Sequence, residues 1–443
     1  MSGEQSSTFD TMPSQKPAPS FQEALRTFAR IGLLSFGGPS AQIALMHRVI
    51  VDEKKWLDEP HYLSALSFCM LLPGPEAMQL ATYVGWRLHG FAGGLAAGLL
   101  FVLPGAFVVL ALSMIYAAYG NVPVVEALFL GIKAAVIVIV VEALLRIAKR
   151  ALKLTEHWAI AGLSFVAIFF LGAPFPLIVL AAAVFGYFRV SRDIVSASTA
   201  YAQPLIATAQ TLRTIAVWLV IWVVPLAASA AAFGRDHVLS QLGLLFSKLA
   251  VVTFGGAYAV LAYMGQDVVG HYGWLDAGAM MDGLGLAETT PGPLILVTEF
   301  VGYLAAYRNG GEPQAVMGLL GAFVALWATF VPCFLWIFAG APYIEWMTHQ
   351  PRLKGALTAI TAAVVGVILN LAIWFALHVF FAKVDLVEAG PLKLWTPTLS
   401  SLDLRVVALS VIAGYVLLKR HWDIPAVLAL TAGLALAIKA AGL

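Results

Sequence analysis

FGGPS at residues 36–40 and LLPGP at 71–75 return as FGGAY at 254–258 and TTPGP at 289–293, and the two copies keep one offset. Phe36, Gly37 and Gly38 fall on Phe254, Gly255 and Gly256, 218 residues on. Trp56, Leu57 and Asp58 fall on Trp274, Leu275 and Asp276 at the same offset, as do Pro73, Gly74 and Pro75 on Pro291, Gly292 and Pro293. Three separate matches at a single spacing mark an internal duplication. Each copy sets two Gly/Pro breaks inside apolar sequence. In a membrane protein, paired breaks in corresponding halves point to a binding site.

The composition defines the class. The chain is 61% hydrophobic and 11% charged, against about 25% charged in soluble domains. Apolar runs long enough to span a bilayer, about 20 residues each, recur along it. The net charge of +2 does not suggest nucleic acid, since the cations lie in short loops. Cys69 and Cys333 stand alone in apolar segments, so free thiols are expected rather than a disulfide framework or a metal site. The polar first 20 residues lack a charged-then-apolar start and read as a disordered cytosolic tail rather than a signal peptide. No P-loop, HExxH or Gly-x-Ser-x-Gly pattern is present, so no enzyme is indicated and no cofactor is expected.

The expected fold class is an all-α polytopic membrane protein with two inverted-topology repeats, broken or re-entrant helices, and one linking transmembrane helix. No segment shows the period-2 alternation of a barrel strand. The expected divisions are an N-terminal repeat at 21–190, a cytosolic linker at 191–212, a linking span at 213–237 and a C-terminal repeat at 238–443. Arg146, Lys149, Arg150 and Lys153 make a basic loop that is placed in the cytoplasm, with the N-terminus. Two arrangements remain: thirteen crossings, or nine with each broken segment entering and leaving on one side. The re-entrant one is preferred, because it puts 18 of the 26 Lys and Arg residues inside and six outside. In either, the unpaired span turns the second copy over.

Irregular backbone at membrane depth is tolerated only where protein buries it or it lines a wet cavity. Proline is favoured at a helix start, so half-helices are expected to begin at Pro39, Pro75 and Pro293. Their free N–H groups and partial positive charge suit an oxyanion. The alternative is that the glycines only permit close helix packing. Candidate substrate contacts are Ser35, Gly37, Gly38, Ser40, Pro73, Gly74, Pro75 and Gln79 in the first copy. In the second they are Thr253, Gly255, Gly256, Thr289, Thr290 and Gly292. Hydroxyls that bond their own helix are the plainer reading of the Ser and Thr residues. Arg30 and Lys248 are equivalents six residues ahead of the two FGG breaks, and suit either a divalent anion or snorkelling to headgroups. Proton-coupling candidates are Glu288, Glu299 and Glu76, the last also readable as a helix cap. Lys133 lies deep enough to need a partner. Trp56 and Trp274 read as interfacial anchors.

These motifs resemble the chromate ion transporter family in its long, two-copy form. The resemblance rests on FGGPSAQIALMHR at 36–48, LLPGPEAMQLATYVGWRLHG at 71–90, FVLPGAF at 101–107, FGGAYAVLAYM at 254–264 and TTPGPLILVTEFVGY at 289–303. It covers nearly the whole chain from residue 21. It implies efflux of chromate across the inner (plasma) membrane, chromate resistance and coupling to the proton gradient, with sulfate as the alternative oxyanion. Ala257 and Tyr258 replace Pro39 and Ser40 in the second copy, so the two breaks are not expected to offer the same contacts. Partners allowed by this reading are the oxyanion, the lipid bilayer and a second copy as a homodimer; nucleic acid is not among them. An uncoupled anion channel and a non-transporting scaffold are the competing functional classes.

Overall fold

The computed structural model describes residues 19–120, 122–190, 208–252, 254, 257–348 and 350–442. The tail to residue 18, linker residues 191–207, and Thr253, Gly255 and Gly256 lie outside the described residues.

Helix α1 (Phe21–Leu34) starts where the Ser20 hydroxyl accepts from the Glu23 N–H at 3.2 Å, the Ser-x-x-Glu signature of a helix start. Ala24, Thr27, Phe28, Ile31 and Gly32 form its buried stripe, the spacing of one helical face. A Cβ at Gly32 would lie 2.0 Å from the Leu100 carbonyl oxygen. The helix stops where Gly37 and Gly38 take φ values of 82° and 77°, which glycine adopts without steric penalty. Helix α2 (Gly38–His47) runs on with Pro39 in its first turn. It widens over Arg48–Glu53 and brings Lys54 back to Glu23 at 2.8 Å. A segment whose residues 23 and 54 are ion-paired has entered and left on one side.

The second break behaves alike. Helix α3 (Glu59–Cys69) is capped by Asp58, and after the turn at Gly74 helix α4 (Glu76–Tyr119) begins. Helix α4 itself reverses at His89 and Gly90. Its limbs, 76–88 and 91–119, meet at Gly85 and Gly93, where a Cβ on either would come within 2.3 or 2.2 Å of the other's carbonyl oxygen. The Phe21 ring meets His89 edge-on at 5.4 Å, so the first limb returns to the level where α1 starts.

The second copy repeats this design. It comprises α9 (Val238–Val252), α10 (Ala257–Gly265), α11 (Ala277–Thr289), α12 (Val297–Asn309) and α13 (Gln314–Gly340). The wide turn Gln266–His271 and the Asp276 cap stand at the same offset from Arg48–Glu53 and Asp58. Gly302 and Gly321 hold α12 against α13, and Arg308 pairs with Asp276 at 3.9 Å across the intervening break.

Inversion follows from α5 (Pro123–Ala151) and α14 (Pro351–Phe380), which hold equivalent places. Arg146 and Arg150 near the end of α5 share a cavity with Thr358 and Thr361 near the start of α14, so the two helices run in opposite directions. Helices α6 (Thr155–Phe169) and α7 (Phe175–Arg189) pack on α14 through Ala161 against Gly366 and Gly186 against Gly355. Helix α15 (Leu404–Gly414) and α16 (Ile424–Ala440) follow, and Lys439 donates to the Pro123 carbonyl at the far end of α5. Between the copies, α8 (Thr208–Phe233) stands largely exposed; it begins inside the stretch read as linker. Five described helices, α4, α5, α8, α13 and α14, are long and apolar enough to cross a bilayer.

Two bodies emerge. Helices α1 to α4 pack with α9, α12 and α13, while α5 to α7 pack with α14 to α16; α10 and α11 lie between. The only strands among the described residues are Val384–Ala389 and Leu392–Pro397, an antiparallel pair with a left-handed Gly390 at its turn. The Lys393 N–H donates to the Phe170 carbonyl at 2.7 Å, docking this hairpin on the α6–α7 turn. The interfacial reading of Trp274 is corrected: it is buried and stacked on Tyr272 at 4.2 Å, whereas Trp56 is half-buried beside Phe28.

Cysteines placed singly at 54, 89, 276 and 308, in a chain with Cys69 and Cys333 replaced by Ala, test the arrangement. Membrane-impermeant maleimide applied to right-side-out and inverted vesicles is expected to reach 54 and 89 from one side and 276 and 308 from the other. Labelling of 54 and 89 from opposite sides would replace the re-entrant arrangement with a crossing one.

Candidate functional site

Breaks of one copy meet the other copy. The Gly292 N–H donates to the Ser35 carbonyl at 2.8 Å. The Gln42 amide donates to the Gly292 carbonyl at 2.7 Å and to the Ser35 carbonyl at 3.3 Å. The first FGG break is thus joined to the second PGP break. The first PGP break meets the other copy in turn: Gly74 and Pro75 border a small void with Leu249, Ala250 and Val260. Each copy therefore satisfies backbone that the other leaves irregular, as irregular segments at membrane depth require.

Beside these breaks lies a cavity of about 510 Å³. Pro39, Ser40, Gly74 and Glu76 line it from the first copy's breaks, and Ala257 and Tyr258 from the second's. The opposite wall is the end of α5 and the start of α6, with Arg146, Arg150, Lys153 and His157, completed by Thr358 and Thr361 of α14. Ala143, Arg146, Ile147 and Arg150 all reach it because they recur at three- and four-residue spacing along one face of α5. Arg146 is held by Glu142 one turn earlier on its helix. His157 is buried, and its Nδ1 has no partner among the described residues. Three cations against Glu76 in the lining and Glu142 on Arg146 leave an excess of one positive charge.

Of the residues singled out from the sequence, Ser40, Gly74 and Glu76 line the cavity. Gly37 and Gly38 form the left-handed turn of their break, and Pro73 and Pro75 are buried in theirs. Others are engaged in bonds within the breaks. The Ser35 hydroxyl donates to the Ile31 carbonyl at 2.6 Å and the Gln79 amide to the Pro73 carbonyl at 2.7 Å. The Thr289 and Thr290 hydroxyls donate to the Leu286 and Ala287 carbonyls at 2.8 and 3.2 Å. Gly292 is held by Ser35 and Gln42, as above. Thr253, Gly255 and Gly256 lie outside the described residues.

Arg30 and Lys248 do not line the cavity. Arg30 lies on the exposed face of α1 and pairs with Glu53 at 3.9 Å; Lys248 lies over the Tyr263 ring at 4.9 Å. Among the carboxyls, Glu288 is buried and its Oε1 accepts from the Tyr258 hydroxyl at 2.7 Å, while its Oε2 has no partner among the described residues. Glu299 is buried, with its Oε2 likewise unpartnered. Lys133 has its partner in Asp282 at 3.2 Å. Among the described residues no cluster of His, Cys, Asp and Glu is arranged to hold a metal.

Sequence reasoning missed Arg146, Arg150, Lys153, His157 and Tyr258 as site residues. It took the α5 basic cluster as a marker of membrane orientation. The one-face spacing of Arg146 and Arg150 was the available signal.

An inverted pair of broken-helix repeats around a charged cavity is the architecture of a membrane transporter. Over residues 22–187 and 240–438 the sequence matches the chromate transporter family, and the chain belongs to that family. It is 33% identical to a chromate transport protein of Pseudomonas aeruginosa over 81% of this chain and 82% of the relative. It is 30% identical to a chromate transport protein of Cupriavidus metallidurans, over 81% and 84%. An uncharacterized transporter of Methanocaldococcus jannaschii is 29% identical over 82% and 86%. No solved structure matches.

Two glycine substitutions separate backbone strain from crowding. Gly38 has φ 77° and open space around a Cβ, whereas Gly74 has φ 117° and a Cβ there would lie 2.9 Å from both Cys333 Sγ and Gln79 Nε2. Gly38→Ala is expected to cost about 1–2 kcal/mol, from conformation alone. Gly74→Ala adds overpacking, for a total of about 3 kcal/mol or more. Thermal unfolding in detergent checks the order.

Proposed function

We propose that the chain is a secondary transporter that exports chromate across the inner membrane, is driven by the proton gradient and so confers chromate resistance. The observation that carries the reading is the cavity. It draws three of the four breaks to Arg146, Arg150 and Lys153, and its net positive lining suits an oxyanion. Guanidinium groups suit such an anion because their planar fork gives paired, charge-assisted hydrogen bonds. The names of the similar proteins support chromate as that anion. The cavity lies at the basic end of α5, the side assigned to the cytoplasm, where a substrate for export would load.

Coupling rests on Tyr258 and Glu288. Tyr258 faces the cavity, and its hydroxyl is bonded to a buried carboxyl that has one oxygen free. A carboxyl inside the membrane is costly and is by default a functional candidate. Through Tyr258 it lies one hydrogen bond from the anion's space, so a change in its protonation alters the wall that the anion touches. Sulfate carries the same charge and nearly the same shape, so this lining favours both oxyanions over monovalent ones and discriminates little between the two.

Flux of chromate into proteoliposomes, with and without an imposed pH gradient and with sulfate as competitor, tests the proposal. The expected result is uphill chromate movement under the gradient, inhibited by sulfate. Downhill flux indifferent to pH would overturn the coupling, and rapid sulfate flux without chromate flux would overturn the substrate. Arg150→Gln is expected to raise the half-saturating chromate concentration about tenfold, equivalent to about 1.4 kcal/mol. Glu288→Gln is expected to abolish uphill movement, and Tyr258→Phe to weaken it, in the same assay.

A further inference from the structure

On the half of the molecule away from the cavity, one acid bridges the two bodies. Asp282 of α11 is buried. Its Oδ2 accepts from the Tyr116 hydroxyl, at the end of α4, at 2.8 Å and lies 3.2 Å from Lys133 Nζ of α5. Its Oδ1 has no partner among the described residues. Lys133 stands toward the Pro123 end of α5, and the cavity lies at the other end. The charged and titratable groups acting on Asp282 are Lys133, Tyr116 and Asp276 at the start of its own helix, and Asp276 is itself held by Arg308 of α12. The surroundings are otherwise tightly packed: Gly283 meets Phe300, Gly285 meets Ile132, and Tyr116 packs edge-on against Phe129 and Phe300.

A carboxylate in such a place has two distinct states. Ionised, it holds Lys133 across the contact between α11 and α5. Once it takes a proton it becomes a neutral acid; the hydrogen bond to Tyr116 can persist, but the charge that held Lys133 is gone. The contact it controls joins the first copy to the second, on the side where the bodies are closed while the cavity parts them on the other. We propose that Asp282 is a proton-binding site of the transport cycle, separate from Glu288. Ionised, it locks the far side through Lys133; protonated from that side, it releases it. This rests on the proton-coupled reading given above.

The test compares two modes of one reconstituted protein: chromate flux driven by a pH gradient, and chromate–chromate exchange at equal pH, which requires no net proton movement. Asp282→Asn is expected to lower gradient-driven flux by about tenfold or more while exchange continues, and Asp282→Glu to recover much of the driven flux. Removing one member of a buried ion pair strands the other, so the double variant Lys133→Gln with Asp282→Asn accompanies it; it is expected to exchange and not to couple. Equal loss of both modes in the single and double variants would overturn the proposal in favour of a packing role. Undiminished gradient drive in Asp282→Asn would overturn it outright. Absence of gradient drive in the unsubstituted protein would overturn the coupled reading itself, and this inference with it, before any variant is made.

Discussion

The contact on which the rest of the structure depends is the bond between two irregular segments 257 residues apart, the Gly292 N–H on the Ser35 carbonyl. Helices broken at membrane depth strand backbone donors and acceptors where water is scarce, and each unsatisfied group there costs several kcal/mol. The first copy's FGG break is completed by the second copy's PGP turn, with Gln42 bridging both carbonyls. Duplication is therefore built into the fold: the first copy's FGG break is tolerable because a turn of the second copy faces it.

The copies are equivalent in backbone and unlike in side chain, and the differences fall where the chemistry is. Gln42 serves the first FGG break, but Val260 stands at the equivalent place in the second copy, beside Gly74. The first PGP turn draws its amide from Gln79 on its own helix, where the second copy has Val297. Ser40 of one copy and Tyr258 of the other line the same cavity, and only Tyr258 reaches a buried carboxyl. The equivalent positions of the two copies thus meet one cavity with unlike side chains.

How much of this was legible follows from what is local and what is not. The breaks, the constant offset, the inversion and the re-entrant path could be read, because Gly and Pro act on their own backbone and loop charge acts on topology. Lys133 could be seen to need a partner, but Asp282 could not be named, since α5 and α11 meet only once the second copy is turned over. The basic end of α5 was visible and assigned a topological role; that it forms a cavity wall depends on helices α5 and α14 crossing antiparallel. Arg30 was drawn to the site by symmetry, although the stripe of Ala24, Thr27, Phe28 and Ile31 already placed it on the opposite face of α1. The strand pair at 384–397 is too short and too exposed to stand out as an apolar span; its local signal is Gly390 between two stretches of strand-like sequence.

The glycine contacts inside the helical hairpins carry a mechanical consequence. Where Gly85 lies on Gly93, and Gly302 on Gly321, backbone touches backbone with no side chain between them to slide or change rotamer. Close-packed contacts of this kind transmit displacement rather than absorb it. Each hairpin is then a stiff lever, and bending is left to the left-handed glycines at its tip. A small shift at Gly74, which lines the cavity at the base of the first hairpin, would be magnified along the arm into a larger sweep at Gly90.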